Sequence, residues 1–182
     1  MIEWILLGLA LLVIAWLALT YNSFVRLRMR AKNAISQIDV QLKRRNDLVP
    51  NLVSTVKGYA KHEKKVFIEV TKARTAMMSA KGMNAKAKAS NMLSNTLKSL
   101  FAVAENYPKL RANENFLKLQ EELSSLEEKI AYSRSFYNDV VQKYNTKLEV
   151  VPDSLVGNAF GFKQRDFFAA TAAERKNVKV EF

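Results

Sequence analysis

One stretch near the start of the chain constrains the rest: "WILLGLALLVIAWLALTY", Trp4 to Tyr21, eighteen residues without a charge. At about 1.5 Å per helical residue it reaches roughly 27 Å, close to the thickness of a hydrocarbon core, so it reads as a transmembrane anchor. A cleaved signal peptide fits less well. No basic region precedes the run, no A-x-A site follows it, and it exceeds the usual apolar length of roughly 7 to 15 residues. Trp4 and Tyr21 lie at its ends, where amphipathic rings prefer the headgroup level, although Trp16 sits deeper than that preference.

The flanks set an orientation. The N-terminal side offers only Glu3 and the terminal amine, whereas Arg26, Arg28, Arg30 and Lys32 follow the run. Cationic flanks stay cytoplasmic, so the expected topology is single-pass in the cell (inner) membrane, N-terminus out and the bulk of the chain in the cytoplasm.

Beyond the anchor the pattern is helical throughout. Five Gly and three Pro in 182 residues leave few turn signals, and 49% hydrophobic with 25% charged residues suits long amphipathic helices. A first stripe runs Phe24, Leu27, Ala31, Ala34, Ile35, Ile38 and Leu42, with no Gly or Pro between Gly8 and Pro50 to separate it from the anchor. A second runs from Leu48 through Leu52, Val56, Tyr59, Val66 and Val70 to Met77. "AKGMNAKAKAS" then reads as a connection with helical potential rather than a core segment, and a third stripe takes Met92, Leu93, Leu97, Leu100, Val103 and Ala104 up to Pro108. Asn113 can cap a fourth helix, whose seam (Phe116, Leu119, Leu123, Leu126, Ile130, Ser133, Tyr137, Val140, Tyr144, Lys147) steps by three and four until Pro152.

The expected fold is therefore all-α: an N-terminal transmembrane helix followed by an antiparallel up-and-down four-helix bundle with long helices. The expected division is an anchor over 1–21, a bundle over 22–150 and a tail over 151–182 with a short helical or aromatic segment. Pro50 falls in "RRNDLVPNLVSTVKGYAKHE". With Asp47 as N-cap, the favoured reading is a tight hairpin near Asn46 over a kinked continuous helix, its cations forming a membrane-distal corner and Gly58 a place of close helix approach.

Charge is uneven within the net +12. Residues 22–88 carry 16 Lys and Arg against 4 Asp and Glu, and residues 89–182 carry 13 against 12. The bland reading is a solvated face, with Glu121, Glu122, Glu127 and Glu128 offsetting some of the excess. The sharper reading makes Arg26, Arg28, Arg30 and Lys32 lipid-proximal, each gaining about 1 kcal/mol from anionic headgroups. Phe160, Phe162, Phe167 and Phe168, with Lys163 and Arg165, either join that interface or pack across the bundle end as core. A nucleic-acid partner is not expected, because no zinc finger, RNA-binding strand motif or basic-zipper pattern occurs.

Motifs for chemistry are missing. There is no cysteine. His62 is the sole histidine, and "HEKKV" places Val66 where a zinc protease needs its second histidine. No phosphate-binding glycine loop or nucleophile elbow occurs. The acidic pairs point around their helix rather than along one face. No enzyme, no cofactor and no metal is expected.

The anchor, "QLKRRNDLVPNLVSTVKGYAKHE", "ENYPKLRANENFLKLQEELSSLEEKIAYSRSFYNDVVQKYN" and "FGFKQRDFF", in that order, resemble the LemA family. The resemblance covers the chain from Tyr21 to its end and is weakest over Thr75 to Lys98. It implies a membrane-anchored helical bundle in a family without an established enzymatic activity or agreed molecular role. It marks Arg44, Arg45, Asp47, Pro50, Asn51, Gly58, Tyr59, His62, Glu63, Asn106, Tyr107 and Pro108 as signature positions without assigning them chemistry. The functional expectation is a non-enzymatic interaction scaffold, with membrane lipids and a homo-oligomer or envelope protein as partners. The alternative is an envelope-remodelling protein that binds anionic lipid through its basic first hairpin.

Overall fold

The computed structural model describes residues 1–168 and contains only helices among them. They are α1 (Ile2–Tyr59), α2 (Lys64–Ser79), α3 (Met83–Ala104), α4 (Pro108–Arg111), α5 (Glu114–Glu149) and α6 (Asp153–Ala159). A long, apolar N-terminal helix leads into a helical bundle. The chain divides into two compact units, one of Met1–Ser36 with Ser135–Phe167, the other of Gln37–Arg134 with Phe168.

α1 is a single helix of 58 residues with Pro50 inside it, which overturns the expected hairpin at Asn46 to Pro50. The physical reason is local. Proline has no N–H, so the Asn46 carbonyl loses its ordinary helical donor, but the Nε of Arg74 on α2 donates to that carbonyl at 3.2 Å. The stripe also runs through the proline: Leu42, Arg45, Val49, Leu52 and Val56 are all buried. Asp47 caps nothing and instead pairs with Lys43 on the helix surface.

The break comes later, at residues 60–63, where the Glu63 amide donates to the Ala60 carbonyl. α2 packs back on α1 with the Lys57 ammonium 5.6 Å from the Phe67 ring centre. Gly82, at φ +79°, supplies the turn into α3 in a backbone region that favours glycine. α3 begins at Met83, so "AKGMNAKAKAS" is not a mere connection: Ala87, Ala89 and Ser90 are core. Their small side chains carry little hydrophobic signal yet let neighbouring helices come close. Asn113 caps α5 as expected, its Oδ1 accepting the Phe116 amide at 3.0 Å. Val49, Leu52, Val56, Phe67, Val70, Leu93, Leu97, Leu100, Leu110, Phe116 and Leu123 form one core that draws on α1 to α5.

The other unit has an aromatic core. Phe24 stacks on Phe162 at 4.9 Å and 19° and meets Tyr144 edge-on at 6.1 Å. Leu148 and Val156 complete the cluster, and Trp16 packs against it. The close-approach glycine is here rather than at Gly58, whose missing Cβ faces open space. A Cβ on Gly157 would stand 2.7 Å from the Leu148 Cδ2 and 3.3 Å from the Phe24 Cζ.

Candidate functional site

The helical phase of α1 places Arg45 on the buried face, where its neighbours in the stripe are aliphatic, and the residue is 0% exposed. Burying a guanidinium is tolerable only if its donors are met. Arg45 Nη2 donates to the Ser90 Oγ at 2.7 Å and to the Ser90 carbonyl at 3.2 Å. Its Nη1 donates to the Ser94 Oγ at 2.8 Å and to the Glu127 carboxylate. Ser94 Oγ lies 3.1 Å from both oxygens of that carboxylate. Arg134 reaches the same serine, with Nη2 on the Ser90 Oγ and Nη1 on the Asn91 Oδ1 at 3.2 Å. Its guanidinium also lies 4.7 Å from the Phe168 ring centre. Two guanidinia, one carboxylate and two serines thus tie α1, α3 and α5 together within this unit. Arginine does not deprotonate in proteins, so the two guanidinia hold position and act as neither acid nor base.

Beside it, a groove of about 1120 Å³ runs between α3 and α5, lined by Met92, Leu97, Phe101, Leu123 and Ile130 among others, with Glu127 and Arg134 at one part of its wall. No group of acidic, histidine or cysteine side chains able to hold a metal occurs among the described residues.

The signature positions fall into three kinds. Tyr59, Glu63, Tyr107 and Pro108 lie, with Asn113, at or beside the ends of the five helices α1 to α5. The Tyr107 hydroxyl donates to the Glu63 Oε1 at 3.1 Å, and the Asn113 Nδ2 donates to the Tyr59 oxygen at 3.1 Å. Desolvation first, then the hydrogen bond and charge of Glu63, push the Tyr107 phenol above its usual range. Pro108 opens α4, where its missing N–H costs nothing. Arg45 and Pro50 lie inside α1, the arginine on its buried face and the proline exposed. Arg44, Asp47, Asn51, Gly58, His62 and Asn106 are exposed. The four cations after the apolar run, Arg26, Arg28, Arg30 and Lys32, are exposed too, with Arg28 5.4 Å from the Phe162 ring centre. The aromatic tail divides: Phe162 and Phe168 are buried, Phe160 and Phe167 exposed.

Sequence reasoning missed Ser90, Ser94, Arg74 and Arg134, and left Glu127 among surface acids. A usable signal existed for the buried arginine. Ile38, Leu42, Arg45, Val49, Leu52 and Val56 step by four and three without interruption.

The sequence model of the LemA family matches residues 34–182. Two magnetosome proteins of Paramagnetospirillum magneticum (strain AMB-1), MamQ 2 and MamQ 1, are each 25% identical over 181 residues, covering 85% of this chain and 66% of theirs. Magnetosome protein MamQ of Magnetospirillum gryphiswaldense (strain MSR-1) is 24% identical over the same shares. The chain spans just under two thirds of the length of these relatives.

Proposed function

The chain belongs to the LemA family, and from that premise we propose that it is a single-pass, membrane-anchored, non-enzymatic scaffold whose bundle surface serves protein association or self-assembly. The observation that carries this reading is α1 itself. Its N-terminal window has a mean hydropathy of 2.4 and is unburied, while the same unbroken helix contributes Leu42, Arg45, Val49, Leu52 and Val56 to the bundle core. Anchor and bundle core thus draw on one helix. The groove between α3 and α5 supplies an apolar surface of the kind partner helices use.

In-cell crosslinking of the membrane-bound protein with mass spectrometry tests the scaffold. Reproducible self-links or links to one partner on α3 and α5 are expected; a strictly monomeric protein without reproducible partners overturns it. The proposed topology, N-terminus out and bundle cytoplasmic, fails if a C-terminal reporter active only outside the cytoplasm gives strong signal.

A second reading has its own observation. Arg26, Arg28, Arg30 and Lys32 all stand exposed directly after the apolar run, where anionic headgroups would meet them. Replacing the four by Gln should abolish any preference for anionic over neutral vesicles during reconstitution. An unchanged preference disposes of that reading.

A further inference from the structure

We infer that the turn after α5 and the short α6, residues 150–160, form a second membrane-embedded element, a wedge of apolar side chains seated in the bilayer interface beside the anchor. The inference rests on residues 4–21 crossing the membrane, and it names a lipid-contacting surface outside that span.

The argument is one of level. The apolar run of about 27 Å barely matches a hydrocarbon core of about 30 Å, so it has no spare length to hold its last turns out in water. α6 is fastened to those last turns. The Thr20 hydroxyl donates to the Asp153 Oδ1 at 3.3 Å. The rings of Tyr21 and Phe160 are 4.9 Å apart. Val156 belongs to the aromatic cluster against which Trp16 packs, and Trp16 lies about 7.5 Å deeper along α1 than Tyr21. Whatever touches Trp16 and Thr20 is carried to the membrane surface with them.

What α6 and the turn before it then present is apolar. Val151 is 79% exposed, Leu155 65% and Phe160 59%, with Val150 beside them. In water this would be an unexplained patch; next to an anchor it continues the surface that lipid already covers. Lys147 and Asp153 at this level are paired, as a low-dielectric boundary favours: Lys147 Nζ donates to the Asp153 Oδ2 at 2.7 Å and lies 5.4 Å from the Phe24 ring centre. Exposed Lys163 and Arg28, the latter against Phe162, stand near enough to this cluster to face headgroups. Interfacial segments of this type bury their apolar side chains some 5 to 10 Å into the boundary of headgroup and acyl chain.

The chain has no cysteine, so single cysteines report cleanly. Full-length Val151→Cys, Leu155→Cys, Leu12→Cys and Tyr132→Cys, each spin-labelled and reconstituted in phosphatidylcholine and phosphatidylglycerol vesicles, are compared by collision with oxygen and with a water-soluble nickel complex. All four positions are exposed, so the fold tolerates the changes. The expected ratio of oxygen to nickel accessibility at 151 and 155 exceeds that at 132 several-fold and approaches that at 12. Nickel access at 151 and 155 with Leu12 still in lipid overturns the wedge and leaves the anchor standing. Protection from both reagents overturns it as well, because protein rather than lipid then covers the patch. Nickel access at 12 refutes the spanning helix and the wedge with it.

Discussion

The two units of this molecule solve the problem of a helical core in different ways. The unit of residues 1–36 and 135–167 packs rings and a glycine: Phe24, Phe162 and Tyr144 in contact, with Gly157 leaving room for Leu148 and Phe24. The unit of residues 37–134 places a fully buried guanidinium among aliphatic rows, meets its two Nη groups with serines and a carboxylate, and leaves its Nε without a partner. Ring packing tolerates some sliding, because dispersion is non-directional. A guanidinium with fixed donor directions does not, so the second unit has its helix register specified by hydrogen bonds. If that distinction holds, the second unit should fail sharply on loss of one polar side chain and the first on gain of one methyl group.

The largest effect is expected at Arg45. Arg45→Ala removes a buried side chain, leaves Ser94 and Glu127 without their guanidinium donor, and leaves Ser90 with Arg134 alone. A loss of about 3–5 kcal/mol is expected, as for removal of one partner from a buried ion pair, read as a fall in melting temperature of the detergent-solubilised chain. Arg45→Met with Glu127→Met should lose much less than the single change, since the second substitution removes the stranded carboxylate. Equal losses would mean that packing volume, not polar satisfaction, accounts for the residue.

Gly157→Ala tests the first unit. Its new Cβ would meet Leu148 at 2.7 Å and the Phe24 ring at 3.3 Å, and overpacking of this kind costs about 1–3 kcal/mol. Gly58→Ala is the internal control. Nothing lies within 4 Å of its Cβ position, and alanine favours a helix interior by about 0.5–1 kcal/mol over glycine, so a small gain is expected. Reversal of the two signs would contradict the packing described.

Next comes the proline. Arg74→Met should cost about 1–3 kcal/mol by leaving the Asn46 carbonyl without a donor. Pro50→Ala restores the helical N–H for that carbonyl, so the double variant should recover most of the loss. Failure of Pro50→Ala to suppress Arg74→Met would show that Arg74 contributes through packing against α1 and not through that bond.

These variants also mark what could be read from the sequence. The all-α class, the apolar span, the cap at Asn113 and the α5 seam were legible, because each depends on residues within a few turns of one another. The continuity of α1 was not. A proline weakens a helix by a local rule, and the compensation came from Arg74, 28 residues from Asn46 and recognisable only once α2 is packed. The core role of Ser90 escaped for a related reason: small polar residues carry no hydrophobic period, and two arginines from other helices decide their burial. Arg45 lay in phase with the stripe all along, but reading a break at Asn46 hid the phase. Charge type then outweighed position.

The smallest expected effect separates the two units by alkaline pH. Tyr107 and Tyr137 both have raised phenol pKa values, in each case mainly through desolvation. Glu63 adds to the shift at Tyr107, whereas Arg165 partly opposes it at Tyr137. Tyr137 donates to the Asp166 carbonyl at 2.8 Å. A phenol whose folded pKa lies above its unfolded value near 10 is held protonated by the fold, and its contribution is complete below pH 10. Above that it falls as pH rises through the folded pKa. The melting temperature should therefore decline above about pH 10. Tyr107→Phe should flatten part of that decline and leave the Tyr137 part, and Tyr137→Phe the converse. In Glu63→Gln the Tyr107 phenol loses the adjacent negative charge, so its folded pKa moves back toward the unfolded value and its share of the decline becomes smaller and ends at lower pH; an unchanged alkaline profile in that variant would remove Glu63 from the account.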